Sequence, residues 1–120
     1  MKQLTLGRLI GKLRDFNPDL MIQHYRAVSY RSEPDEVCLI PRGKQVKVQE
    51  LITYLQDNVL YSTLQGPKDE YPCRYMSDNT PVWVDTHEIN FNNFALVDVV
   101  YDETEADNEV VMLLRLLNKK

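Results

Sequence analysis

Between residues 48 and 60 the chain admits one local structure. Val48, Leu51, Ile52, Leu55, Val59 and Leu60 recur at helical spacing, an apolar stripe that suits one face of an α-helix and no half-buried strand. Glu50 near the start complements the helix dipole, and Gly66-Pro67 beyond the end is a stop signal. An earlier stripe of Leu4, Leu6, Leu9, Ile10, Leu13 and Phe16 predicts a first helix. Thr5 is its expected N-cap and Asn17-Pro18-Asp19 its terminator. Arg8, Lys12 and Arg14 then fall on the side toward water.

The remaining apolar segments are short, as strands are. They cover residues 20–29, 36–40, 81–85, 95–101 and 110–117, and Pro41-Arg42-Gly43-Lys44 is expected to close the second. Residues 66–79 are polar and turn-rich, and no domain-length repeat or low-complexity linker interrupts the chain. Two helices before a cluster of strands with short polar connections predict an α+β fold rather than a doubly wound one. The expectation is a largely antiparallel sheet of about five strands, with both helices packed on one face. With 120 residues and 43% apolar content, one domain over 1–120 with its own core is expected.

Charge and glycine content narrow the chemistry. Eighteen acids against fourteen bases give a net charge of −4, which disfavours nonspecific binding to DNA or RNA. The four glycines, Gly7, Gly11, Gly43 and Gly66, supply neither a P-loop nor a dinucleotide fingerprint. No apolar run reaches the roughly 20 residues of a membrane span, and Lys2, Arg8 and Lys12 break any signal-peptide pattern. Cys38 and Cys73 stand far apart, as in a reduced cytosolic protein. Together with His24 and His87 they lack finger-type spacing, so no metal and no cofactor are expected. No hydrolase elbow, zincin helix or kinase set is present. The stretch 102–109 holds five acids in eight residues, the composition of a solvated hairpin tip; it lacks the ligand alternation of a calcium loop. It makes the C-terminal third acidic on a slightly basic remainder, an asymmetry suited to a basic partner or to like subunits.

Two segments carry candidate binding groups. In His24-Tyr25-Arg26-Ala27-Val28-Ser29-Tyr30-Arg31, Tyr-Arg occurs twice at a spacing of five. Extended backbone puts Tyr25, Ser29 and Arg31 on one face and Arg26 and Tyr30 on the other. A ring beside a guanidinium stacks a base and grips a phosphate; the same residues also describe a half-buried strand with packed tyrosines. The second segment runs from Tyr75 to Asp85, where Ser77, Asp78 and Thr80 lead into the only Trp, Trp83. Such a loop either caps a turn beside a core Trp or walls a pocket.

Several of these segments together resemble a family of small proteins encoded by bacteriophages and prophages. Leu4-Thr5-Leu6-Gly7-Arg8-Leu9-Ile10 is similar to the family's Leu-Thr-x-Gly-x-Leu-Ile start, followed by Asn17-Pro18-Asp19 in place of its Pro-Asp turn. Ser29-Tyr30-Arg31 and Asp78-Asn79-Thr80-Pro81-Val82-Trp83-Val84 resemble its Ser-Tyr-Arg and Asp-x-Thr-Pro-x-Trp-Val segments. Ser32 stands where the family has Gly, and Pro67-Lys68-Asp69-Glu70 replaces a Gly-rich turn, so an anion here is held by side chains. The resemblance implies a phage accessory protein in the bacterial cytoplasm, without assigned catalysis.

The expectation is therefore a non-enzymatic, homo-oligomeric protein that binds a host component and no membrane. In its sharper form it sequesters a nucleotide signal of antiviral defence through Arg26, Tyr30, Arg31, Thr80 and Trp83. The alternative is an inhibitor or adaptor docking on a host enzyme through its acidic C-terminal strands.

Overall fold

A computed structural model describes residues 2–29, 36–63, 75–85, 93–100 and 113–118. The order of elements is α1 (Leu6–Arg14), β1 (Met21–Ser29), β2 (Val37–Lys47), α2 (Val48–Tyr54), β3 (Val82–Asp85), β4 (Asn93–Val100) and β5 (Leu113–Asn118). The fold is α+β, with two helices and a mostly antiparallel sheet. Its four-stranded mixed body is β1-β2-β3-β4, and β5 is hydrogen-bonded antiparallel along the outer edge of β4.

One pairing departs from the antiparallel rule. β2 and β3 run parallel, with Val37 opposite Val82 and Leu39 opposite Val84. Parallel neighbours need a crossover of a dozen residues or more, and the chain between Lys47 and Val82, which includes α2, supplies it. The short links expected around the later strands do not reveal this, because the crossover is a property of strand order.

Helix α1 begins as its sequence predicts. Thr5 Oγ1 accepts the Arg8 N–H at 3.4 Å, and Asp15 follows the last turn. Leu6, Leu9, Ile10 and Leu13 are buried, Arg8 and Arg14 are exposed, and Lys12 reaches Asp98 on β4 at 3.1 Å. The remaining free donors of the first turn are satisfied from outside the helix. The Leu6 N–H donates to the Thr80 carbonyl at 2.8 Å and the Gly7 N–H to the Asp78 carbonyl at 3.0 Å.

Helix α2 starts at Val48, where Glu50 accepts the Lys47 N–H at 2.9 Å. It does not end as an α-helix. Residues Leu55–Val59 form a π-helical turn, closed by a 2.8 Å bond from the Leu60 N–H to the Leu55 carbonyl. The wider turn keeps Leu55 and Val59 buried with Val48, Leu51 and Ile52, so the apolar stripe continues although the hydrogen-bond period changes.

Strand β2 also outruns its expected end. Pro41-Arg42-Gly43-Lys44 does not terminate it: pairing with β1 passes from Tyr25 opposite Pro41 to Gln23 opposite Gln45. The extra residues form a bulge, and Gly43 takes φ +63° there, a left-handed conformation that glycine adopts without a Cβ clash. Opposite it, His24 meets the Tyr54 ring edge-on at 5.4 Å, while the Tyr54 hydroxyl accepts the Ala27 N–H at 3.0 Å.

The sheet has two distinct faces. Ile22, Tyr25, Ala27, Leu39, Val84 and Leu96 pack with the apolar sides of both helices into one continuous core. Val28 and Cys38, with the half-buried Ile40 and Trp83, form a smaller cluster on the other face, as strand alternation requires.

Two outcomes follow. A Cβ built on Gly7 would lie 2.9 Å from Asp78 Oδ1 and 3.1 Å from its carbonyl, whereas one on Gly11 meets nothing within 4 Å. Gly7→Ala should therefore lower stability by about 1–3 kcal/mol through the displaced turn, and Gly11→Ala should raise it by about 0.5–1 kcal/mol; thermal unfolding of both variants checks this. Burial pushes the Tyr25 phenol up from 10 to about 12. Both folded and unfolded states hold it neutral below pH ~10; above that mainly the unfolded phenol ionises, so stability falls as pH rises toward 12, by about 2 kcal/mol. Urea unfolding of wild type and Tyr25→Phe across pH 8–12 measures that difference, which should open only above pH ~10.

Candidate functional site

Of the site residues expected from sequence, Arg26, Trp83 and Thr80 are described, and Thr80 stands apart from the other two. Arg26 on β1 is exposed and faces away from the helices, because Tyr25 and Ala27 on either side of it point into the core. Its register partner is Ile40, two residues from Cys38, which pairs with Val28 on one side and Trp83 on the other. Arg26 and Trp83 therefore share one sheet face, across the apolar floor of Val28, Cys38 and Ile40. Two strand spacings across and two residues along put their Cα atoms about 12 Å apart. The Trp83 indole N–H donates to the Glu36 carboxylate, which fixes the ring edge.

Thr80 lies elsewhere. It is buried, its Oγ1 accepts the Ser77 N–H at 2.8 Å, and its carbonyl receives the Leu6 N–H. Its hydroxyl thus closes the turn that seats α1. Tyr30 and Arg31 lie outside the described residues, as do His87, Cys73 and the acidic stretch 102–109. Cys38 is buried in the small cluster of the outer sheet face, while His24 lies against Tyr54 with its Nδ1 buried and unbonded. Among the described residues no group of three or more His, Cys, Asp or Glu side chains converges as a metal site.

A second constellation joins Tyr61 to Tyr75 and Asp78 of the second candidate segment. Just past the π-helical turn, Tyr61 adopts φ +59°, a left-handed backbone costing a non-glycine residue about 1–2 kcal/mol. Bonds on both sides hold it there. Its N–H donates to the Met76 carbonyl at 2.8 Å, and the Met76 N–H returns a bond to the Ser62 carbonyl at 2.9 Å. Next along, Thr63 bridges Tyr75 antiparallel. The result stacks two tyrosine rings, centroids 6.3 Å apart and 30° between planes. Tyr61 is 54% exposed and Tyr75 64%, so neither ring is part of the core, while the backbone beneath them holds the buried Met76.

Asp78 completes this group. The Tyr61 hydroxyl donates to Asp78 Oδ2 at 2.8 Å, while the Asp78 carbonyl is held by the first turn of α1. The hydrogen bond to the carboxylate, and then its negative charge, push the Tyr61 phenol above its ordinary pKa, because both favour the neutral phenol. The sequence signal was weak: Tyr61 and Tyr75 are fourteen positions apart with no shared periodicity, and only the backbone ladder joins them.

Asp78→Asn keeps an oxygen for the Tyr61 hydroxyl and removes the charge. The Tyr61 pKa should then move down toward the ordinary phenol value, read from its ring carbon shift in an NMR pH titration against wild type.

Among the described residues no helix is long and apolar enough to cross a membrane. Comparison with protein-family models, with curated proteins and with solved structures finds no match for this chain.

Proposed function

We propose that this chain is a non-enzymatic binding protein of the phage accessory type, holding a small nucleotide across the helix-free face of its sheet. The observation that carries the reading is the common face of Arg26 and Trp83. An indole offers a stacking surface for a base, worth about 1–3 kcal/mol, and a guanidinium offers a forked donor for phosphate. Their separation of about 12 Å, with a long side chain reaching in from the arginine end, matches an extended mononucleotide. Glu36, which already receives the Trp83 N–H, stands where its carboxylate accepts N–H groups from the edge of a stacked base. In a host cell such a protein removes a nucleotide signal from solution by mass action, and needs no turnover to do so.

Calorimetric titration with cyclic and ADP-ribose-type nucleotides tests the proposal. At least one should bind with micromolar affinity and be recovered chemically intact. Arg26→Ala, an exposed substitution, should weaken that binding roughly tenfold or more through loss of a charge-assisted contact of about 1.5–3 kcal/mol. Absence of heat with every nucleotide, at concentrations that reveal micromolar binding, would sink the idea.

A further inference from the structure

The Tyr61–Tyr75 pair is separate from the Arg26–Trp83 face and has its own electrostatic character. Two π faces, each carrying negative potential, stand beside the Asp78 carboxylate. Among the described residues the ion pairs are Lys12–Asp98 and Lys47–Asp19, neither involving Asp78. Asp78 is exposed, and its side-chain hydrogen bond comes from the neutral Tyr61 hydroxyl. Among the described residues the patch is therefore apolar on its rings and negative at its edge, with no ion pair at Asp78.

We propose that the Tyr61–Tyr75–Asp78 patch is a docking site for an arginine side chain in a basic segment of a partner protein. Charge complementarity selects this occupant. A guanidinium stacks flat on a tyrosine face as a cation–π contact and still directs N–H groups sideways at a carboxylate. A lysine ammonium offers no plane to stack. The arrangement is also prepared before binding: the ladder between residues 61–63 and 75–76 fixes the backbone beneath both rings, and the Tyr61–Asp78 hydrogen bond fixes one phenol. A partner then meets a backbone and one phenol that are already fixed, which reduces the entropy cost of docking.

The test is NMR titration of the isotope-labelled full chain with an end-capped glycine peptide carrying two arginines. The control is the same peptide with citrulline, which keeps the shape and removes the charge. The arginine peptide should shift the amides of Tyr61, Ser62, Tyr75, Met76 and Asp78, and the citrulline peptide should leave them in place. Tyr75→Ala should weaken binding about fivefold, the worth of an exposed cation–π contact, while Tyr75→Phe retains it. Asp78→Asn should also weaken binding and flatten its dependence on salt. Amide spectra unchanged away from the patch show that these surface variants remain folded. The proposal is overturned by equal shifts with citrulline, by shifts confined to other residues, by no shifts at all, or by full affinity in Tyr75→Ala. It is equally overturned if the patch shifts with protein concentration alone, since a second copy of the chain would then be its occupant. Nucleotide binding at Arg26 is unaffected by any of these results, so the two sites stand or fall separately.

Discussion

Four backbone hydrogen bonds made by residues 4–7 join the helical layer to the sheet. The Leu4 N–H donates to the Leu96 carbonyl at 2.7 Å, and the Leu4 carbonyl accepts the Val82 N–H at 3.1 Å. This segment thus lies between β3 and β4 where their own pairing, which starts at Trp83 opposite Ala95, has not begun. Leu6 and Gly7 then give their N–H groups to Thr80 and Asp78. Backbone groups that would otherwise be stranded at a helix start and a strand fork satisfy one another, and leaving any of them buried and unpaired would cost about 1–3 kcal/mol.

Much else depends on that junction. Thr80 is drawn into the turn beneath α1, away from the face that carries Trp83. Asp78 is set against Gly7, with its carboxylate where the Tyr61 hydroxyl reaches it. The close approach also explains a glycine in the first turn of α1, a position where no left-handed backbone requires one. The Lys12–Asp98 ion pair adds a second tie between α1 and β4, worth less than about 1 kcal/mol at a partly exposed site. The backbone junction and the buried Leu6, Leu9 and Leu13 dominate.

Periodicity made the helices legible because each buries a stripe that local spacing reveals. Thr5, Glu50 and the burial of Leu9, Ile10, Leu51 and Leu55 all follow from positions near one another in the chain. The ends of elements were less legible. Pro41 reads as a stop, yet Gly43 allows a bulge after which β2 regains its partner. The π-helical turn after Tyr54 is likewise a response to packing, since an α-helical stripe and a π-helical one begin with the same apolar residues. Among the candidate site residues, alternation set Arg26 on the face opposite Tyr25, while the burial of Tyr25 and Ala27 in the folded chain decides that Arg26 is the exposed one. Its alignment with Trp83 needed the parallel β2–β3 register, between strands more than thirty residues apart in the chain.

Sequence by itself determined the class of fold, the two amphipathic helices, the N-cap and the segments able to be strands, because these depend on spacings of two, three or four residues. It also settled that no glycine-rich phosphate loop exists among four scattered glycines. Only the tertiary structure decided which strands are neighbours, which face each carries outward, and that Tyr61, Tyr75 and Asp78 meet. The physical reason is that pairing across a sheet and a left-handed backbone at Tyr61 are chosen by the collective satisfaction of distant backbone groups and a shared core, a condition no local pattern encodes.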